Sequence, residues 1–133
     1  MVAWKFIIAI SLGATIGASS RWYLNYRLDY LFSTFSLGTL LANLVGGFLA
    51  GFFVSWATHI SNVDLFWRVF FITGFCGSLT TFSAFSTEVV HLLQTSRYMN
   101  AFTVISLNGV GTLIMTALGM VLFFQFFGNN KIL

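Results

Sequence analysis

Four long apolar stretches, with almost nothing charged inside or between them, constrain any fold this chain can adopt. They cover residues 4–26, 36–58, 66–94 and 101–127, and each supplies the roughly 20 mostly apolar residues that a helix needs to cross bilayer hydrocarbon. Only 7% of the residues are charged and mean hydropathy is +0.91, against about 25% charged residues in ordinary soluble domains. So few charges cannot cover a soluble exterior of this size, and lipid must solvate most of it. The connections are short and polar, marked by Arg27, Asp29 and Ser33, then His59, Ser61, Asn62 and Asp64, then Gln94, Ser96, Arg97 and Asn100. Trp4, Trp22, Tyr23, Tyr26, Tyr30, Trp56, Trp67 and Tyr98 fall near span ends, where interfacial aromatic belts lie. The expected architecture is an all-α membrane protein, with residues 1–133 forming a single four-helix domain in a cell membrane.

Lys5 followed by Phe6–Ala18 has the outline of a signal peptide. No small-residue cleavage pattern follows, and the apolar run continues to Tyr23, so the segment is expected to remain as the first span. With four spans, the termini and the second connection share one side of the membrane. That side carries Lys5, Arg68 and Lys131, while the other carries Arg21, Arg27 and Arg97. Orientation follows the Lys/Arg bias, and three against three gives none. The tally predicts dual topology, with oppositely inserted copies pairing as an antiparallel two-fold homodimer. The competing reading is one orientation decided by a few flanking contacts.

The six basic residues are scattered, so no patch exists for a nucleic-acid partner. Cys76 is the only cysteine; it can form no internal disulfide and has no partners for a zinc site, which leaves a small buried packing residue. His59 and His91 lie at or near span ends as interfacial side chains. An enzyme has least support, because the spans hold no nucleophile–base pair and no metal-ligand cluster.

Polar groups inside a bilayer are costly and therefore informative. Gly13-xxx-Gly17 and Gly47-xxx-Gly51 have the spacing that lets helices approach closely, and packing accounts for them. Asn43, about two turns into the second span, offers two donors and an acceptor; an interhelical hydrogen bond and a pore-lining donor both fit it. Residues 73–88 of the third span contain two glycines and seven hydroxyls. Gly74, Gly77 and the pair Thr80-Thr81 weaken a helix there. Free backbone groups at that depth must face protein, water or an ion, and discontinuous helices are how transport proteins build ion sites. A break is expected around Gly77–Thr80. Phe82 and Phe85, three residues apart, share one helical face. Glu88 is the only carboxylate within a span, since Asp29 and Asp64 fall in connections. A lining of hydroxyls, amides and positively polarised ring edges favours an anion or neutral solute over a cation.

Gly38-Thr39-Leu40-Leu41-Ala42-Asn43-Leu44-Val45-Gly46-Gly47-Phe48 and Gly74-Phe75-Cys76-Gly77-Ser78-Leu79-Thr80-Thr81-Phe82-Ser83, with Gly13-xxx-Gly17-xxx-Arg21, resemble signatures of the CrcB/Fluc family of fluoride channels. The resemblance spans essentially the whole chain. It implies a dual-topology antiparallel homodimer with two pores, each lined by both subunits, through which fluoride leaves the cytoplasm passively. By matching positions it implies that Phe82 and Phe85 turn ring edges toward fluoride and that Asn43 donates a hydrogen bond, with Thr81 and Ser83 in the same motif. It further implies a structural sodium ion on the carbonyls of Gly77 and Thr80, and a basic vestibule residue at Arg21. Fluoride itself comes only from the resemblance. In the fourth span Thr112 fits the family's hydroxyl lining, Asn108 stands where relatives can carry serine, and Val104 offers no polar atom where some carry tyrosine.

Two rivals remain. A small dual-topology, proton-coupled multidrug exporter needs a carboxylate within its first span, where this chain has Ser11, Thr15, Ser19 and Ser20. A non-conducting membrane scaffold would use its glycines and hydroxyls only for packing, and does not call for so many helix-weakening residues in one stretch.

Overall fold

A computed structural model describes residues 2–128. Lys131, part of the charge tally, lies outside the described residues. The helices are α1 (Val2–Leu28), α2 (Leu37–His59), α3 (residues 65–79), α4 (Phe82–Gln94) and α5 (Tyr98–Phe127), with a 3-10 turn at Asp29–Leu31. Four helical stretches, Ala3–Leu31, Leu37–His59, Leu65–Gln94 and Tyr98–Phe127, are long and apolar enough to cross a membrane. They match the four apolar stretches of the sequence within a few residues, and α3 and α4 together make the third.

Side-chain caps place the boundaries. Ser36 Oγ accepts the Thr39 N–H at the start of α2, and the Asp64 carboxylate accepts the Phe66 N–H at the start of α3. At the end of α4, Arg97 N–H donates to the Leu92 carbonyl (2.8 Å) and Ser96 N–H to that of Leu93 (3.1 Å), with Ser96 left-handed at φ 58°. That is a Schellman ending with serine where glycine is usual, and it turns the chain tightly enough for α5 to begin at Tyr98.

Packing pairs the spans. α1 lies along α3, α2 along the Gly111–Phe127 part of α5, and α4 against Tyr98–Ile105. Glycines set the closeness of both long seams: a Cβ on Gly74 would lie 2.8 Å from the Ile10 carbonyl, and one on Gly119 would collide with the carbonyl of Phe48. Val89, Leu92, Ala101 and Val104 form a buried cluster between α4 and α5, with Phe35 and Phe85 against it.

Two stretches depart from α-helical winding. Val69–Cys76 in α3 and Ser106–Val110 in α5 are π-helical, a winding frequent near functional sites. Asn108 sits within the second.

Polar groups tie the first connection to α4. Asp29 accepts from Ser36 Oγ (2.9 Å) and from the Gly38 N–H (2.9 Å), while Glu88 accepts the Ser36 N–H. The N-terminus of α2, with its free N–H groups, is thereby capped by a hydroxyl and a carboxylate.

Candidate functional site

The site forms where α3 gives way to α4. Helical dihedrals stop at Leu79; Thr80 (φ −76°, ψ 153°) and Thr81 (φ −149°, ψ 119°) are extended, and Thr81 Oγ1 accepts the Ala84 N–H (3.2 Å) as the cap of α4. A continuing helix would send the Thr81 N–H to the Gly77 carbonyl and the Ala84 N–H to the Thr80 carbonyl. Here the first goes to Asn43 Oδ1 (2.7 Å) and the second to Thr81 Oγ1. The carbonyls of Gly77 and Thr80 thus lose their helical donors. Thr80 turns its own N–H (3.1 Å) and hydroxyl (3.0 Å) back to the Cys76 carbonyl, while the Cys76 thiol is buried.

Asn43 stands opposite on α2 and is 7% exposed. Its Nδ2 donates to Asn108 Oδ1 (2.8 Å) and to the Thr81 carbonyl (3.2 Å). Asn108, 5% exposed, donates from Nδ2 to the Val104 carbonyl (3.2 Å). One side chain therefore joins the second, third and fourth spans. It also borders a cavity of about 300 Å³ lined by Thr80, Thr81, Phe82, Phe85, Asn108, Gly109, Thr112 and Leu113. The interhelical bond that the sequence left open is present, and the same residue borders the cavity.

The aromatic pair behaves unevenly. The rings of Phe82 and Phe85 meet edge-on at 5.5 Å and 66°, but Phe82 is 78% exposed and Phe85 packs on the Val89–Leu92–Ala101–Val104 cluster. Among the described residues, buried Thr112 Oγ1 has no hydrogen-bond partner.

A family model described as CrcB-like protein, Camphor Resistance (CrcB), matches residues 8–120. The chain belongs to the CrcB family. Among curated relatives, a fluoride-specific ion channel FluC of Pseudomonas aeruginosa (strain UCBPP-PA14) is 49% identical over 117 residues, 88% of this chain and 92% of that protein. The namesake from Chromobacterium violaceum is 47% identical, covering 88% and 93%, and that from Nitrosomonas europaea 45%, covering 88% and 92%. With four membrane-crossing helices, this CrcB-family chain is a multi-pass membrane protein.

Within it, Asn43, Thr80, Thr81, Phe82, Phe85, Asn108 and Thr112 gather around one cavity. Ser83, Gly77 and Arg21 stand apart from that lining. Ser83 is exposed, with Oγ 3.2 Å from Thr81 Oγ1. Gly77 is exposed one turn before Thr81, and half-buried Arg21 on α1 has a buried Nε with no hydrogen-bond partner among the described residues. Sequence reasoning passed over Gly109 and Leu113, whose only signal is adjacency to Asn108 and Thr112. It also missed the Asp29–Ser36–Thr39–Glu88 network beside a second cavity of about 260 Å³. Ser36 three residues before Thr39, at the start of an apolar run, was the available capping signal.

Proposed function

We propose that this chain is a fluoride-selective ion channel through which fluoride leaves the cytoplasm passively, working as an antiparallel, dual-topology homodimer. The observation that carries the reading is the cavity itself: two asparagines, three threonines and two phenylalanines line it, and its lining includes no carboxylate. Fluoride is strongly hydrated, so a pore must replace its water with donors while holding it weakly enough to release it. The names of the relatives, fluoride-specific ion channels, point to the same ion.

In this reading Phe82 and Phe85 turn positive ring edges toward the ion and Asn43 donates a hydrogen bond. Thr81, Ser83, Asn108 and Thr112 continue the polar path. Arg21 raises the local anion concentration at the vestibule. The exposure of Phe82 on a single copy suits a pore wall completed by a second. The even Lys/Arg tally supports insertion in both orientations.

The extended residues Thr80 and Thr81 serve as the break in the third span. The diverted helical donors leave the Gly77 and Thr80 carbonyls suited to a hard cation, which takes oxygen ligands, and two copies would offer such a pair each. A structural sodium ion bound there would supply fixed positive charge at the subunit contact. Among the described residues no cluster of His, Cys, Asp and Glu competes as a metal site.

Reconstitution tests the reading. Liposomes loaded with potassium fluoride or potassium chloride are triggered with valinomycin, and halide electrodes follow the efflux. Rapid fluoride release with negligible chloride release is expected; no halide release from folded, dimeric protein overturns the channel.

A further inference from the structure

Asn43 and Asn108 form a chain of hydrogen bonds whose direction the backbone fixes at both ends. The Thr81 N–H can only donate, so the Asn43 atom 2.7 Å away is Oδ1. The Val104 carbonyl can only accept, so the Asn108 atom 3.2 Å away is Nδ2. Between them Asn43 Nδ2 meets Asn108 Oδ1 at 2.8 Å. Flipping either amide would set donor against donor and acceptor against acceptor. The second Asn43 hydrogen goes to the Thr81 carbonyl. An anion entering the cavity therefore finds neither hydrogen of Asn43 free.

Resting on the channel reading, we propose that Asn108 is a positioning residue whose Oδ1 holds the place of the anion on Asn43 Nδ2 and yields it when an ion arrives. Of the two acceptors on Asn43, the Thr81 carbonyl belongs to the backbone that caps α4, whereas the Asn108 carbonyl belongs to a side chain. Asn108 sits in the π-helical turn Ser106–Val110, and a Cβ added to the adjacent Gly109 would meet nothing within 4 Å, so there is open space beside it. A charged acceptor makes a stronger hydrogen bond than a neutral amide carbonyl, so an anion can take the hydrogen. Surrendering one neutral bond each time weakens binding and speeds exit, as conduction requires. Between ions the same bond keeps Asn43 aimed at the cavity and its buried donor satisfied.

The test is fluoride efflux from liposomes as a function of fluoride concentration, for the native protein and Asn108→Leu, which keeps the branched shape and removes the acceptor. The half-saturating concentration is expected to fall about fivefold, the worth of one net hydrogen bond, with a lower maximal flux because exit slows. An unchanged half-saturating concentration means a merely structural role and overturns the proposal. A raised one makes Asn108 itself the direct donor and overturns it as well. Absence of fluoride efflux from the native protein defeats the channel reading instead, and the native control shows it. Should Asn108→Leu not fold, native protein labelled with ¹⁵N-asparagine answers the same question. Fluoride should shift the side-chain amide resonances of Asn43 and Asn108 together, and movement of the Asn108 resonance alone, or of neither in conducting protein, overturns the proposal.

Discussion

Replacing Gly119 by alanine tests the closest approach between α2 and α5. A Cβ there would collide with the Phe48 carbonyl oxygen and lie 3.0 Å from both the Phe48 carbonyl carbon and the Phe52 nitrogen. Those are backbone atoms, so no side chain can swing aside. Restoring ordinary contact requires the helices to part by more than about 1 Å, and a gap of even about 0.5–1 Å forfeits a quarter to a half of the dispersion attraction across it. The same seam holds Gly51 against the Thr116 carbonyl and Gly47 against Thr112, so the loss spreads along it. Overpacking of this kind costs about 1–3 kcal/mol, offset by up to about 1 kcal/mol because alanine is the better helix former. A net destabilisation of roughly 1–2 kcal/mol is expected. Gly109→Ala supplies the matched control: its Cβ meets nothing within 4 Å, so only the propensity gain remains and the sign reverses. Thermal unfolding of purified protein in detergent, followed by circular dichroism, should place the two variants on opposite sides of the native Tm. Gly51→Ala combined with Gly119→Ala should cost less than the two separately, because the first separation makes room for the second. If Gly119→Ala proves as stable as Gly109→Ala, α2 and α5 do not touch at Phe48 and the seam is wrong.

The remaining predictions concern the site and the first connection. Asn43→Leu leaves the Thr81 N–H and Asn108 Oδ1 buried without partners; at about 1–3 kcal/mol for each orphaned group it should lower stability by roughly 2–6 kcal/mol and abolish fluoride efflux. Phe82→Ala removes an exposed ring and should leave unfolding within about 0.5 kcal/mol of native while cutting fluoride efflux, whereas Phe85→Ala strips a ring from a buried cluster and should cost about 2–4 kcal/mol. Equal stability losses for the two would contradict the uneven placement of the pair. Ser36→Ala removes the cap of α2 and should cost about 0.5–2 kcal/mol; Asp29→Ala acts on the same hydrogen bonds, so the double variant should cost less than the sum in unfolding experiments.

The spans were legible because a bilayer forces every backbone group to find an internal partner, and a helix of about 20 apolar residues is the plainest way to do so. The glycine seams were legible for the same reason: close approach needs small residues at helical spacing, and Gly13, Gly17, Gly47 and Gly51 have it. What sequence could not give was who meets whom across long separations. Asn43 and Asn108 lie 65 residues apart, and their contact depends on how α2 and α5 cross and on the π-helical turn at Ser106–Val110. Neither follows from a local pattern. Glu88 is similar: its place in a span was evident, but its bond to the Ser36 N–H depends on how the first connection folds over the end of α4. The unequal exposure of Phe82 and Phe85 was equally hidden, since spacing puts two rings on one face without saying where the neighbouring helix ends.

The residues around Thr80 and Thr81 divide donors from acceptors in a way that bears on what can bind there. An interrupted helix frees N–H groups on one side of the gap and carbonyls on the other, and at membrane depth both are costly if left alone. Here two of the donors are met from within the chain, the Thr81 N–H by Asn43 and the Ala84 N–H by Thr81 itself. The carbonyls of Gly77 and Thr80 receive neither of those hydrogens. On the proposed reading the two sides of one interruption take opposite tasks: carbonyl oxygens suited to a cation, and amide and hydroxyl hydrogens suited to an anion. Thr81→Ala separates them. Losing Oγ1 removes the cap of α4 and frees the Ala84 N–H to return to the Thr80 carbonyl, leaving the Asn43 bond to the Thr81 backbone in place. If the proposed dimer holds sodium there, its sodium dependence should then weaken while the Asn43 side-chain resonance stays near its native position. Movement of both together would mean that the two sides are not separable, and that the interruption works as a single unit.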